Sequence, residues 1–290
     1  MRDQAEKLRM KMLESEGALG KSIAVVSGKG GVGKSNFTMN FATLLAKEGK
    51  RVVILDMDIG MGNIHILIGK SVQYSLKDYL EGNLTITEVM YEGPNDLHYI
   101  SGGSGMGSLL DWSGNTFDLL IEAFEHLQKS FDYILFDMGA GATNWSLELL
   151  VSVDEIIVIS TAEPTAIMDA YSMMKYINLK DSQKTFYLLC NRAFTVEEGR
   201  ETVNRLHSAM NKFLKKECVI LGSLPEDPIV RKAVREQVPF TISYPDAPIT
   251  KTMRQIVQRF IHHREDEVHA PIESKNFLSK LKSIFSKGRD

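Results

Sequence analysis

Five short apolar runs, at residues 23–26, 52–55, 133–136, 156–159 and 186–189, set the tightest limit on what this chain can fold into. Each has the length of a strand and is apolar without alternation, the pattern of a strand buried on both faces. Weaker candidates lie at 97–100 and 218–221. Between the runs, apolar residues recur at helical spacing over 37–47, 117–128, 165–177, 196–214 and 248–263. Strands alternating with helices predict right-handed βαβ units, hence a three-layer α/β fold: a mainly parallel twisted sheet with helices on both faces. A chain of 290 residues with 43% hydrophobic content can bury one such core. No internal repeat is present, which argues against a tandem two-site protein.

The first strand runs into Gly28-Lys29-Gly30-Gly31-Val32-Gly33-Lys34-Ser35, followed by Asn36 and a helical stretch. This is the phosphate-binding pattern G-x-x-x-x-G-K-[ST] in its strand–loop–helix setting. Glycines let backbone N–H groups turn inward around phosphate oxygens, and the helix N-terminus adds its dipole. Lys34 is expected to bridge the β- and γ-phosphates of ATP, and the Ser35 hydroxyl to coordinate Mg²⁺. Asp56 and Asp58 end the second strand, two apart and so on one side if the strand continues. A capped turn is the plainer reading of that pair. The strand at 133–136 leads into Asp137-Met138-Gly139-Ala140-Gly141, the place for a second carboxylate that serves the magnesium site. Ala140 and Gly141 could offer N–H groups to the γ-phosphate. Asn191 and Arg192 follow the strand at 186–189, where an amide with donor and acceptor suits the edge of adenine, although asparagine also simply favours turns.

Lys29 makes the loop more specific. Lys-Gly-Gly-Val-Gly-Lys-Ser resembles the deviant Walker A loop of the MinD/ParA family of P-loop ATPases, over about residues 22–262. The resemblance implies that Lys29 reaches across an ATP-bound homodimer to the partner's nucleotide and ties hydrolysis to dimerisation. It implies that Asp58, in the D-x-D-x-G element, activates the attacking water, with Asp56 in the outer shell of Mg²⁺. The segment around Pro225 and Asp227 resembles the family's second adenine loop, though Asp227 could equally cap a helix starting at Pro228. Related ATPases carry Asp-x-Pro-x-Gly where this chain has Gly139, so the γ-phosphate loop departs from the pattern there.

The remaining composition narrows the class. A formal charge of −3 gives no footprint of a nucleic-acid binder, and no specific nucleic acid is expected. Cys190 and Cys218 form no paired motif, which disfavours a disulfide scaffold, a zinc site or an iron–sulfur electron carrier. No run approaches the roughly 20 apolar residues of a membrane span. The C-terminal stretch 275–290 is different: Phe277, Leu278, Leu281, Ile284 and Phe285 share one helical face. Residues 271–290 hold five basic and two acidic residues, a local net of +3. Apolar face plus lysine flank fits an interfacial helix on anionic lipid, and docking back on the domain is the alternative. A charged, proline-containing segment at 264–274 reads as a linker, which makes the tail look separate from a domain at 22–263.

Residues 1–21 read as a polar helix with Leu8, Met12 and Leu13 on one face. Its Asp3-Gln4-Ala5-Glu6-Lys7-Leu8-Arg9 resembles the activator element of the FlhG (YlxH/FleN) family. The resemblance implies that Gln4, Leu8 and Arg9 contact the GTPase FlhF, and that the protein acts with the flagellar C-ring proteins FliM and FliN/FliY. It implies an ATPase using ATP/ADP and Mg²⁺, cytoplasmic and reversibly bound to the inner face of the membrane, that controls flagellar number and placement. The alternatives are a MinD-type division-site ATPase and a ParA-type DNA-partition ATPase.

Overall fold

The structure, a computed structural model, describes residues 19–58, 62, 64–82, 84–103, 114–139, 144–267 and 277–286; for 114, 144, 264–267 and 284–286 it describes the backbone but not the side chains. Gln4, Leu8 and Arg9 lie outside the described residues, as do Ala140 and Gly141.

Every apolar run is a strand. In chain order the strands are β1 (Lys21–Ser27), β2 (Val52–Met57), β3 (Met90–Glu92), β4 (His98–Ser101), β5 (Tyr133–Met138), β6 (Glu155–Ser160), β7 (Thr185–Ala193) and β8 (Val219–Pro225). They form one sheet in the order β3-β4-β2-β5-β1-β6-β7-β8, parallel except for the β3–β4 edge pair. β1 thus lies inside the sheet between β5 and β6, so both of its backbone edges are satisfied and its loop emerges at the centre of the carboxyl ends. Ligands of open α/β sheets bind at that edge.

The pleat divides the core in two. Ala24, Val26, Phe136, Val158 and Leu188 feed one apolar cluster, while their neighbours Val25, Leu135, Ile157 and Leu189 feed the other. The second face is covered by α1 (Lys34–Lys47), α2 (Ile64–Leu67), α8 (Pro228–Glu236), α9 (Phe240–Ser243) and α10 (Pro248–Glu267). The first is covered by α3 (Leu76–Leu80), α4 (Gly114–Ser130), α5 (Asn144–Ser152), α6 (Pro164–Lys180) and α7 (Val196–Leu214). Aromatic side chains lock α1 in place: Phe37 stacks on Phe41 at 5.2 Å, and Phe41 meets Phe260 of α10 edge-on at 5.2 Å.

The expectation of a separate tail is corrected. A last helix, α11 (Phe277–Ser286), packs against α4 and α5 on the first face of the domain. Phe277, Leu278 and Leu281 are 0%, 3% and 0% exposed. The Phe277 ring lies 5.3 Å from Phe124 and 5.7 Å from Phe136. Lys280 reaches Asp181 at 2.9 Å and Lys282 reaches Glu125 at 2.8 Å. The stripe that suits a lipid surface buries equally well in protein, since apolar burial is non-directional. The side chains of Ile284 and Phe285 lie outside the described residues. α10 also runs past the expected end at 263, so 264–267 belong to it, and the rest of the expected linker is outside the described residues.

Candidate nucleotide site

The loop after β1 separates its two lysines. Lys34, at the start of α1, is 8% exposed and lies 3.1 Å from Asp137 Oδ1. Thr38, one helical turn on, donates to the same oxygen at 3.0 Å and to the Lys34 carbonyl at 3.1 Å. Lys29 is half-exposed on the outside of the loop, 2.6 Å from Glu163 Oε2. That contact holds the Glu163 carboxyl below its ordinary value. Glu163 precedes α6 at the carboxyl end of β6, the strand beside β1. Ser27 Oγ donates to the Lys29 carbonyl at 2.9 Å and so shapes the first turn.

Gly33 caps α1 with φ 88°, a left-handed conformation that a β-carbon would strain. A side chain there would also meet Asn191 Nδ2 at 2.5 Å. Asn191 donates to the Val32 carbonyl at 2.7 Å, so its amide braces the loop as well as facing the pocket. Gly31, Gly33, Asn36, Asn191 and Arg192 join Pro225 and Asp227 around one cavity of about 270 Å³. Gly28 sits against Asp169 and Ala170 of α6, Gly30 is exposed, and Ser35 is half-buried beside Lys34. Arg192 pairs with Glu226 at 2.7 Å, and Asp227 accepts from the Ile229 amide at 2.9 Å as the cap of α8. Asp227 therefore caps α8 and also lines the cavity.

Asp56 and Asp137 are register partners on β2 and β5 and are 1% and 0% exposed. Burial, and next the charge of Asp137, push the Asp56 carboxyl up to about 6. Asp56 accepts from the amides of Asp58 at 3.2 Å and Ile64 at 3.1 Å, thereby tying the two ends of the intervening loop. Asp137 Oδ2 is buried and has no hydrogen-bond partner among the described residues. Two adjacent buried carboxylates facing one lysine leave negative charge uncompensated, and a buried charge needs a partner. The residues present therefore fit a divalent cation held by Asp137 and the Ser35 hydroxyl, with Asp56 behind; magnesium sites commonly use one or two carboxylates plus phosphate oxygens.

Sequence reasoning missed Glu163 and Thr38. Glu163 lies past the end of β6 (Glu155–Ser160), as the N-cap of α6, and so outside the strand-end pattern that marks Asp56 and Asp137. The two cysteines stand apart from the site: burial pushes Cys190 up to about 11 and Cys218 to about 12, which keeps both as thiols.

Comparison with known proteins agrees with this geometry. The family model described as ParA, NUBPL iron-transfer P-loop NTPase, matches residues 18–261. The antiactivator FleN of Pseudomonas aeruginosa is 32% identical over 237 residues, 82% of this chain and 85% of that protein. The flagellum site-determining protein YlxH of Helicobacter pylori is 32% identical over 265 residues, 90% of this chain and 89% of that protein. Among solved structures, the septum site-determining protein MinD of Pyrococcus horikoshii, complexed with Mg-ADP, matches with a TM-score of 0.68 over 87% of this chain and all of that one; at 23% identity it speaks to the fold alone. Matched residues, loop and fold agree: the chain belongs to the FlhG (YlxH/FleN) family of MinD/ParA-type P-loop ATPases.

Proposed function

We propose that this ATPase is a dimerising switch that controls flagellar number and placement. The observation that carries the reading is the division between the loop's two lysines. Lys34 is buried beside Asp137 within its own site, whereas Lys29 is half-exposed at the loop's outer surface. An ammonium group so placed is accessible to a nucleotide bound by a second copy, as an arginine finger is. Its present partner, Glu163, would have to release it first.

In this reading the backbone N–H groups of residues 28–35 and the Lys34 ammonium hold the phosphates, and Thr38 and Lys34 orient the Asp137 carboxylate. Magnesium, when bound, neutralises charge on the phosphate oxygens. Asp58 orients the attacking water. Asn191, Arg192, Pro225 and Asp227 enclose the adenine. The α11 helix is the output. Docked, its face is hidden on α4 and α5; released, two such helices on one dimer bind an anionic membrane together, because the second attaches at high effective concentration. The protein then alternates between the cytoplasm and the inner face of the membrane.

The flagellar role rests on the names of the relatives, an antiactivator and a flagellum site-determining protein. The N-terminal element with Gln4, Leu8 and Arg9 adds contact with FlhF, and FliM and FliN/FliY are the corresponding C-ring partners. No helix among the described residues is long and apolar enough to cross a membrane.

Sedimentation velocity of Asp58→Ala with ATP should give a stable dimer, and Lys29→Ala in that background a nucleotide-bound monomer. A monomer in both sinks the switch. Electron microscopy of cells lacking the gene should show altered flagellar number, and unchanged counts remove the flagellar role. A peptide of residues 1–20 should stimulate FlhF GTPase activity, with the effect lost in Gln4→Ala; no stimulation removes that partner.

A further inference from the structure

α6 and α7 pack side by side, and their C-terminal halves share one outer surface. On α6, Tyr171, Lys175 and Leu179 follow at i, i+4 and i+8 and so form one stripe, which Ser182 continues just past the helix. The end of α7 lies along that stripe: the Phe213 ring is 6.4 Å from Tyr171, and Lys216 donates to the Ser182 carbonyl at 2.8 Å. Leu179 is 69% exposed, Phe213 65%, and Tyr176 beside the stripe 40%. Single exposed apolar residues are ordinary, but these stand together. Around them Lys175, Lys180, Lys212 and Lys215 are exposed, and none has an acidic partner among the described residues. Lys212 lies over the Phe213 ring at 5.4 Å. The two acids of segments 171–184 and 205–217 are already engaged, Asp181 by Lys280 and Lys184, and Glu217 by His207 and Asn211. A chain with a formal charge of −3 thus carries an uncompensated basic patch here, studded with apolar side chains.

We propose that this surface is a second contact with anionic membrane, separate from α11. Leu179, Phe213 and Tyr176 enter the boundary between headgroups and acyl chains, and the lysines meet the negative lipid surface. A bilayer accepts separate protruding side chains without a matching shape, which suits two parallel helices better than an acidic protein does. The position agrees as well. Lys280 of the docked α11 reaches Asp181, the residue after α6, so the helix proposed to bind lipid is seated at the edge of the same patch. The inference rests on the proposed attachment to anionic membrane, but it differs in one respect. The patch is exposed while α11 is docked, so its contact does not wait for nucleotide.

The test is flotation of the full-length protein, with and without ATP, on phosphatidylglycerol–phosphatidylcholine vesicles and on phosphatidylcholine alone. Nucleotide-free protein should bind the anionic vesicles at low salt, lose them as salt screens the charges, and ignore the neutral ones. A lysine near such a surface is worth roughly fivefold, so Lys175→Gln with Lys212→Gln and Lys215→Gln should weaken this binding on the order of a hundredfold. About two-thirds of Leu179 and of Phe213 is left to bury, so Leu179→Gln with Phe213→Gln should cost roughly twentyfold or more. Thermal melting checks the fold; should one variant melt early, the other must still show the loss. Nucleotide-free protein that does not bind, or variants that bind as wild type does, overturn the inference and leave the patch to an acidic protein; ATP-dependent binding that persists then keeps α11 as the attachment. Equal binding to both kinds of vesicle also overturns it. Patch-dependent binding that ATP does not strengthen removes the output role of α11 and leaves the inference standing.

Discussion

Phe277→Ala tests whether α11 is held on the domain by its apolar face or by its lysines. The Phe277 side chain is fully buried, with ring centroids of Phe124 and Phe136 at 5.3 and 5.7 Å. Truncating a buried phenylalanine costs about 3–5 kcal/mol. The two ion pairs cannot make up that loss. Lys280–Asp181 has side-chain exposures of 20% and 15%, Lys282–Glu125 of 49% and 23%, and accessible pairs contribute about 0.2–1 kcal/mol each. The loss should fall on docking of this terminal element before it reaches global stability, because peripheral helices open locally. At ~1.4 kcal/mol per decade, the docked-to-undocked ratio should fall on the order of a hundredfold or more. Hydrogen–deuterium exchange of amides 277–286 in the nucleotide-free protein reads that ratio directly. Lys282→Ala, the control, should accelerate exchange by no more than about fivefold. Equal protection in Phe277→Ala and wild type would refute the apolar account of docking, and so would a larger effect from Lys282→Ala.

Removing the Lys34 ammonium while leaving Asp137 buried should cost about 3–5 kcal/mol, so Lys34→Met should melt earlier and lose ATP binding; an unchanged melting temperature would refute the pairing. The Asp56 carboxyl, ordinarily near 3.8, titrates at about 6 in the folded protein, so folding takes up a proton between those values and stability falls as pH rises through that window. Asp56→Asn lacks this loss, so its melting temperature minus that of the nucleotide-free wild type should climb from pH 3.8 to about 6 and then level; a constant difference would contradict it. Glu163→Gln should release Lys29 without changing the melting temperature, since both groups are accessible. ATP-dependent dimerisation should then occur at lower protein concentration, and an unshifted threshold would show that Glu163 does not restrain Lys29.

The sheet was legible because five of its strands are buried on both faces and so carry unbroken apolar runs. β3 was not: three residues, Met90–Glu92, at an edge, with no apolar run to announce them. The phosphate loop was legible because its glycines and Lys34 serve local geometry, readable from spacing alone. Glu163 and Thr38 act through partners distant in sequence, 134 and 99 residues away respectively, and spacing holds no record of such pairings. The apolar stripe of α11 was equally plain, but a stripe states only that it must leave water. What covers it is a property of α4 and α5, whose sequences gave no sign that they would receive a helix.

β5 places Phe136 and Asp137 side by side on opposite faces of the sheet, the first under α11 and the second beside Lys34. In a strand, neighbouring residues exchange faces with any shift of one position. A single-residue slip of β5 would push a carboxylate into an oily seat and an aromatic ring among the phosphate-binding groups. Two chemically opposite penalties thus guard one register. The strand cannot be lengthened or shortened by one residue ahead of Asp137 without disabling the nucleotide site and the seat of α11 together.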